Sequence, residues 1–224
     1  MTARRLPRPA AKNKRGRPPG STRDVTRARI LLAARECFAR TGYAGTTNKD
    51  IADQAGITAA AIYQYFDSKT GLYMATVDHA QAELVPQFRE AVARETTTRG
   101  AFRALLAASG RVHEKDPSLA AFLSALPIEL RREEEIANAM AEAPSEVLAI
   151  MEGIVSRGVR ARELTPSSAP HVLSMFVACT MGLSLYAASF GADEYRAALD
   201  AFLALLDGKL LAKKAAPRRK SAAR

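Results

Sequence analysis

The sequence has little that would staple a fold or catalyse a reaction. Its two cysteines, Cys37 and Cys179, stand alone, with no metal or redox spacing, and a reducing compartment suits them best. Three histidines show no metal-ligand spacing. No uncharged apolar run reaches membrane-spanning length. The longest candidate, Val172 to Ala188, is interrupted by serine, threonine and glycine and reads as a buried helix. No apolar segment follows the positive N-terminus before Ile30, which argues against a secretory signal. No run alternates with period two over a strand's length, so no sheet is expected. Paired carboxylates, nucleophile–base sets, phosphate loops and metal clusters are all missing as motifs. No enzyme, cofactor or metal is therefore expected.

What is present is charge at the ends and helical periodicity between them. The net charge is +10 over 224 residues, with 48% hydrophobic content, enough for a sizeable core. Residues 1–30 carry ten Lys or Arg against one Asp, and residues 209–224 carry seven basic residues and no acid. Residues 76–208 carry twelve basic and eighteen acidic residues. Basic ends on an acidic middle suggest a polyanion partner for the ends; solubilising tails are the other reading.

Residues 1–22 are rich in Pro, Arg and Lys and are expected to form a disordered basic arm. A first helix is predicted from about Asp24 to Arg40, with Ile30, Ala34, Cys37 and Phe38 as its buried stripe and Gly42 as its stop. Thr47 is a natural N-cap, with Asp50 three residues on. Gly56 supplies a turn, Thr58 caps a second short helix, and Ile62 and Phe66 pack back on the first. Two short helices around a tight turn make a helix-turn-helix, the unit that lays one helix in the major groove of DNA.

Each residue type in that unit has a physical task. Thr58, Ala59, Ala60 and Ala61 bring the second helix close to base edges, where alanine methyls pack on thymine methyls but form no hydrogen bond. Thr47 and Lys49 sit where a helix N-terminus favours a phosphate. Gln64 suits an adenine or a phosphate, and Lys69 offers the DNA backbone a point charge. Tyr63 and Tyr65 either reach phosphates through their hydroxyls or join Phe66 in an aromatic core.

The ordered series Gly42-Tyr43, Thr46-Thr47, Asp50-Ile51-Ala52, Ala55-Gly56-Ile57-Thr58, Ile62-Tyr63, Tyr65-Phe66 and Ser68-Lys69 resembles the DNA-binding domain of the TetR/AcrR family of transcriptional regulators. The resemblance covers about a quarter of the chain. It implies that Lys49, Ala59, Ala60 and Ala61 face bases, and that Asn48, Tyr63, Gln64, Tyr65 and Lys69 touch or adjoin phosphates. Members often carry glycine where Ala60 stands. The implied architecture is all-α: a helix-turn-helix domain over residues 23–68, a larger helical ligand-binding and dimerisation domain over 69–208, and a basic tail over 209–224. The implied function is a cytoplasmic, nucleoid-associated homodimer on a palindromic operator. It would be a repressor released by a small, largely apolar effector. A DNA-bound architectural or cell-division factor of the same fold, without an effector, is the rival reading.

In the larger part, Pro86 and Pro127 are expected to kink or break their helices, and Glu133-Glu134-Glu135 to form a solvated face. Val172, Met175, Phe176, Cys179, Leu183 and Tyr186 recur at helical spacing, as do Tyr195, Leu199, Phe202, Leu205 and Leu206. By the resemblance these two helices pair with a second subunit; an intramolecular core is the alternative. Candidate pocket residues are Phe102, Leu106, Phe122, Leu126, Met140, Met151, Met175 and Phe176, an adaptable apolar set. His113 and His171 are read as surface or satisfied histidines, with orientation of a polar ligand group as the sharper alternative.

Three alanines leave the recognition helix poor in hydrogen bonds to bases, which directs attention to the arm. Lys14 to Gly20 contains Arg15-Gly16-Arg17-Pro18, similar to an AT-hook core, in which glycine lets the backbone sink into a narrow minor groove and Arg15 and Arg17 follow its potential. Deleting residues 1–20 should weaken operator binding and erase an A·T preference beside the half-site, measured by selection from randomised flanks. Loss of salt dependence alone would leave a generic basic tail.

Overall fold

The computed structural model describes residues 22–141 and 145–209. Arg15, Arg17, Pro144 and nearly all of the basic arm and tail lie outside them. Among the described residues the regular elements are ten α-helices and no strand. Helices α1 (Thr22–Gly45), α2 (Asn48–Ala55) and α3 (Ala59–Ile62) make the head. The body comprises α4 (Lys69–Ala93), α5 (Thr98–Lys115), α6 (Pro117–Arg132), α7 (Glu134–Met140), α8 (Glu146–Arg160), α9 (Ala169–Phe190) and α10 (Ala192–Leu206).

Short polar side chains start most of these helices. Thr47, Thr58, Ser68, Thr97, Asp116 and Ser145 each accept a backbone N–H of the first turn, satisfying donors that helix geometry leaves free. Gly42 lies at φ 73° and ψ 177° within α1, so the expected stop is there as a sharp break, and one more turn leads to Gly45.

Of the kink or break expected at each proline, the break does not occur. Helices α4 and α6 run on through Pro86 and Pro127. Proline removes one backbone hydrogen bond and crowds the preceding turn. Around Pro86 the flanking Leu84, Val85 and Phe88 are all buried, and that burial keeps the helix whole. Helix α7 was not anticipated, and its first turn uses two of the three glutamates expected only as a solvated face.

Buried residues of head and body form one continuous cluster. At its centre Phe38 of α1, Tyr73 of α4 and Phe122 of α6 pack ring on ring. Centroids are 4.9 Å apart for Phe38–Tyr73 and 5.2 Å for Tyr73–Phe122, and Tyr43 lies 5.4 Å from Tyr73. Beside them the buried Arg35 of α1 donates to Glu83 of α4 at 3.1 Å and to Asp116 at the α5–α6 junction. Burial raises the Asp116 pKa, but bonds from the Ser118 hydroxyl and the Leu119 N–H, with the Arg35 charge, hold it below the usual carboxylate value.

Helix α9 is long and apolar enough to cross a membrane by length and composition, contrary to the sequence reading, and 6% of that window is buried. Its exposed side chains include Met175, Met181, Leu185, Tyr186 and Phe190, while Phe176 and Ala187 are buried against the body. His113 departs from expectation as well. It is buried, its ring 4.8 Å from that of Tyr195, with Nδ1 unpartnered, and burial lowers its pKa. His171 is exposed, with Nδ1 3.1 Å from the Ser167 carbonyl.

Arg35→Met should cost about 1–3 kcal/mol at pH 7 in urea unfolding, since it leaves two partly exposed carboxylates without their buried cation. The depressed Asp116 pKa contributes stability above the unfolded carboxylate pKa of about 3.9, and that contribution is lost as pH falls through the folded value. The variant should flatten that acid limb; identical limbs would assign Asp116 to its local hydrogen bonds alone.

Candidate nucleic-acid interface

The interface is built from local sequence upward. Thr47 and Asp50 close a reciprocal capping box: the Asp50 N–H donates to Thr47 Oγ1 at 3.2 Å, and the Thr47 N–H donates to Asp50 Oδ2 at 2.8 Å. The Thr47 hydroxyl also donates to that carboxylate at 2.6 Å. The Thr47 side chain first, then its backbone, holds the Asp50 pKa below normal, so the box stays charged at neutral pH. Gly56 takes φ 65° and ψ 41°, the left-handed conformation that ends α2. A side chain there would meet nothing within 4 Å, so the turn reserves glycine for its backbone alone. The Ile57 N–H then donates to the Ala52 carbonyl at 3.0 Å, folding the chain into α3.

The regular part of α3 is one turn, Ala59–Ile62, shorter than the sequence suggests. Beyond it Tyr63 to Tyr65 continue as turns, with the Tyr65 and Phe66 N–H groups both donating to the Ile62 carbonyl. Ile62 and Phe66 are buried and face the head core, as expected. Two arginines brace this end from α1. Arg23 donates to the Gln64 carbonyl at 3.1 Å and lies 5.5 Å from the Tyr65 ring centroid, and Arg27 lies 5.3 Å from that of Phe66.

The sequence-predicted residues divide by exposure. Thr47, Lys49, Thr58, Ala60, Tyr63 and Gln64 are exposed. Asn48, Ala59, Ala61, Tyr65 and Lys69 are half-buried, and both Ala59 and Tyr65 pack against the core. The two tyrosines therefore differ: Tyr63 is 58% exposed, whereas Tyr65 shares its ring between the core and Arg23. The Lys69 ammonium lies 4.3 Å from the Tyr43 ring centroid, so contact with a phosphate must compete with that ring. Sequence reasoning missed the bracing role of Arg23 and Arg27. Their spacing of four on α1 was the available signal.

In the body, Phe102, Leu106, Phe122, Met151 and Phe176 are buried, with Phe102 and Phe176 stacked face to face. Leu126 and Met140 are half-buried against the same core, and Met175 is 47% exposed. None of the eight lines the depression of about 340 Å³ between the α4–α5 turn and the end of α8, where Thr97, Thr98, Arg157 and Glu163 meet. Among the described residues no group of three or more His, Cys, Asp or Glu could hold a metal.

This geometry defines a helix-turn-helix protein with an all-helical body. Residues 30–76 match the family model for bacterial regulatory proteins of the tetR family. The HTH-type transcriptional activator FasR of Mycolicibacterium smegmatis is 39% identical over 101 residues, 45% of this chain and 45% of that protein. The HTH-type transcriptional repressor KstR2 of Rhodococcus jostii is 35% identical over 83 residues, 37% of this chain and 41% of that protein. The chain thus spans less than half the length of these curated relatives. In fold it is similar to FadR from Bacillus subtilis, solved in complex with stearoyl-CoA, with a TM-score of 0.65 and 20% identity over 82% of this chain and 99% of that one. Residues 30–76 therefore form a DNA-binding domain of the tetR type, and the body shares its fold with FadR.

Lys49→Ala should weaken binding to any duplex about equally and lower the slope of log affinity against log salt by about one. A sequence-dependent loss with an unchanged slope would instead mark Lys49 as a base reader.

Proposed function

We propose that this chain is a dimeric, DNA-binding transcriptional regulator, a repressor that leaves a palindromic operator when its body takes up a largely apolar ligand. The observation that carries the reading is the exposed face of Thr47, Lys49, Thr58, Ala60 and Tyr63 on a capped and braced TetR-type head. The base- and phosphate-facing roles of these residues belong to the same proposal. So does its place in the cytoplasm on chromosomal DNA.

Dimerisation is supported by the exposed apolar side of α9, together with Leu205 of α10. Tyr186 and Phe190 lie with ring centroids 4.5 Å apart on that side. A contiguous apolar surface of this kind on two adjacent helices suits a second copy, as a four-helix interface. A two-fold dimer then sets two α3 helices at successive major grooves, about 34–36 Å apart. A ligand moves that spacing only by its difference in affinity between two arrangements.

The ligand class is supported by the Phe, Leu and Met side chains of the body. FadR was solved with stearoyl-CoA, so a long-chain acyl thioester is the first probe. Repression is proposed as the outcome, since KstR2 is named a repressor, although FasR is named an activator.

Genome-wide mapping of the purified protein on fragmented source DNA, at near-physiological salt, should yield a few sharp palindromic sites near promoters. On a recovered operator, stearoyl-CoA should lower affinity by about 5- to 150-fold. Broad A·T-rich occupancy without a palindrome would replace this reading with an architectural factor. Tight stearoyl-CoA binding without any change in operator affinity would end the coupling.

A further inference from the structure

Tyr43 of the head is gripped from three sides. Its backbone N–H donates to Glu129 Oε1 of α6 at 3.1 Å. Its hydroxyl lies 2.8 Å from Thr70 Oγ1 of α4 and donates to Glu135 of α7 at 3.1 Å. Thr70 itself donates to Glu135 at 2.7 Å, and Lys69 covers the Tyr43 ring. One residue at the α1–α2 junction thus touches three body helices.

Glu129 is the least expected of these partners. It is 9% exposed, on a stretch of α6 that otherwise reads Leu126, Pro127, Ile128, Leu130. Among the described residues no ion pair includes it. A carboxylate removed from water needs donors, and here a backbone N–H of the head supplies one. Gly42 makes room for it. Its φ of 73° with ψ of 177° lies in a region essentially restricted to glycine, and a Cβ there would sit 2.8 Å from Glu129 Oε1.

The geometry points to Glu129 as the positioning residue that couples the body to the DNA-binding head. Its purpose rests on the regulator reading above; its contact with Tyr43 does not. Phe122 and Leu126 precede it on α6 by seven and three residues, so all three lie on one helix face. An apolar ligand that displaces Phe122 or Leu126 moves Glu129 against Tyr43. From Tyr43 the chain reaches the α2 cap in four residues, through a tight turn closed by the Thr46 hydroxyl on the Gly42 carbonyl at 2.7 Å. Movement at Glu129 is therefore delivered to the start of α2 and from there to α3.

The test compares full-length Glu129→Ala and Glu129→Gln with wild type. Glutamine keeps a carbonyl oxygen for the Tyr43 N–H; alanine does not. Glu129→Ala should lose about tenfold in operator affinity, with Glu129→Gln within about twofold of wild type. Ile154→Val, a mild destabilisation of the body core, should leave operator affinity unchanged, which a merely structural role for Glu129 would not explain. Glu129→Ala binding as wild type, or Glu129→Gln failing as fully as alanine, would overturn the assignment. Hydrogen exchange on the free protein decides the contact without DNA. Amides of residues 42–50 should exchange faster in Glu129→Ala and not in Glu129→Gln. Unchanged exchange in the alanine variant would overturn the latch, whereas absence of specific DNA binding by wild type would instead sink the regulator reading.

Discussion

The packing of Phe38, Tyr43, Tyr73 and Phe122 is the constraint on which the rest of the molecule depends. These rings come from the head and from two body helices, and they merge the two parts into one core. Truncating a buried phenylalanine costs about 3–5 kcal/mol. Exposed pairs such as Arg89–Glu146 and Arg94–Glu90 contribute about 0–1 kcal/mol each. The orientation of the head is therefore decided at the aromatic junction. A head joined in this way cannot tilt without moving α4 or α6. Arg35, whose guanidinium reaches α4 and the α5–α6 junction, adds direction to a contact that ring packing alone would leave free to slide.

The parts of the fold legible in the sequence are those governed by neighbours in the chain. A helix cap reads one side chain against a backbone N–H three residues away, so Thr47, Thr58 and Ser68 could be placed from the residues alone. Gly42 and Gly56 were legible because positive φ is a local property. The burial of Ile62 and Phe66 followed from a spacing of four. Whether the prolines would interrupt their helices was not legible, for the opposite reason. Their cost is local, but whether a helix survives it depends on packing from elsewhere, as at Leu84, Val85 and Phe88. Arg35, Glu129 and Glu135 were invisible because their partners lie 48, 86 and 92 residues away. Nothing in a run of glutamates reports that one of them meets a tyrosine hydroxyl in another part of the chain.

The same distinction separates the candidate site from the candidate pocket. The head displays its exposed residues on a rigid scaffold of caps, and exposure sorts Tyr63 from Tyr65 and Ala60 from Ala59. The proposed pocket residues have no comparable frame. Phe102 and Phe176 stack on each other, and Leu106 and Met151 are buried in the same core, so a ligand entering there must displace side chains instead of filling a void. That arrangement suits a coupled regulator physically. On the proposed coupling, the displacement a ligand requires would be the movement that α6 carries toward Tyr43.

Helix α9 poses the sharpest test of what composition can say. Its length and apolarity satisfy the requirement for a membrane span. Lipid, however, surrounds a single spanning helix, and α9 is already covered on one side by its own fold, at Phe176 and Ala187. The hydroxyls of Ser174, Thr180 and Ser189 bond carbonyls one turn back, a habit of hydroxyls on any helix, in water or lipid. What distinguishes the alternatives is asymmetry: one face in the core, the opposite face apolar and bare. A bare face of that kind is complementary to another like itself, and two-fold pairing covers both copies at once. Because α9 packs on α6 and α8 within the subunit, pairing through it would tie the body to the partner copy, and a tilt of the head would still require movement of α4 or α6 at the aromatic junction.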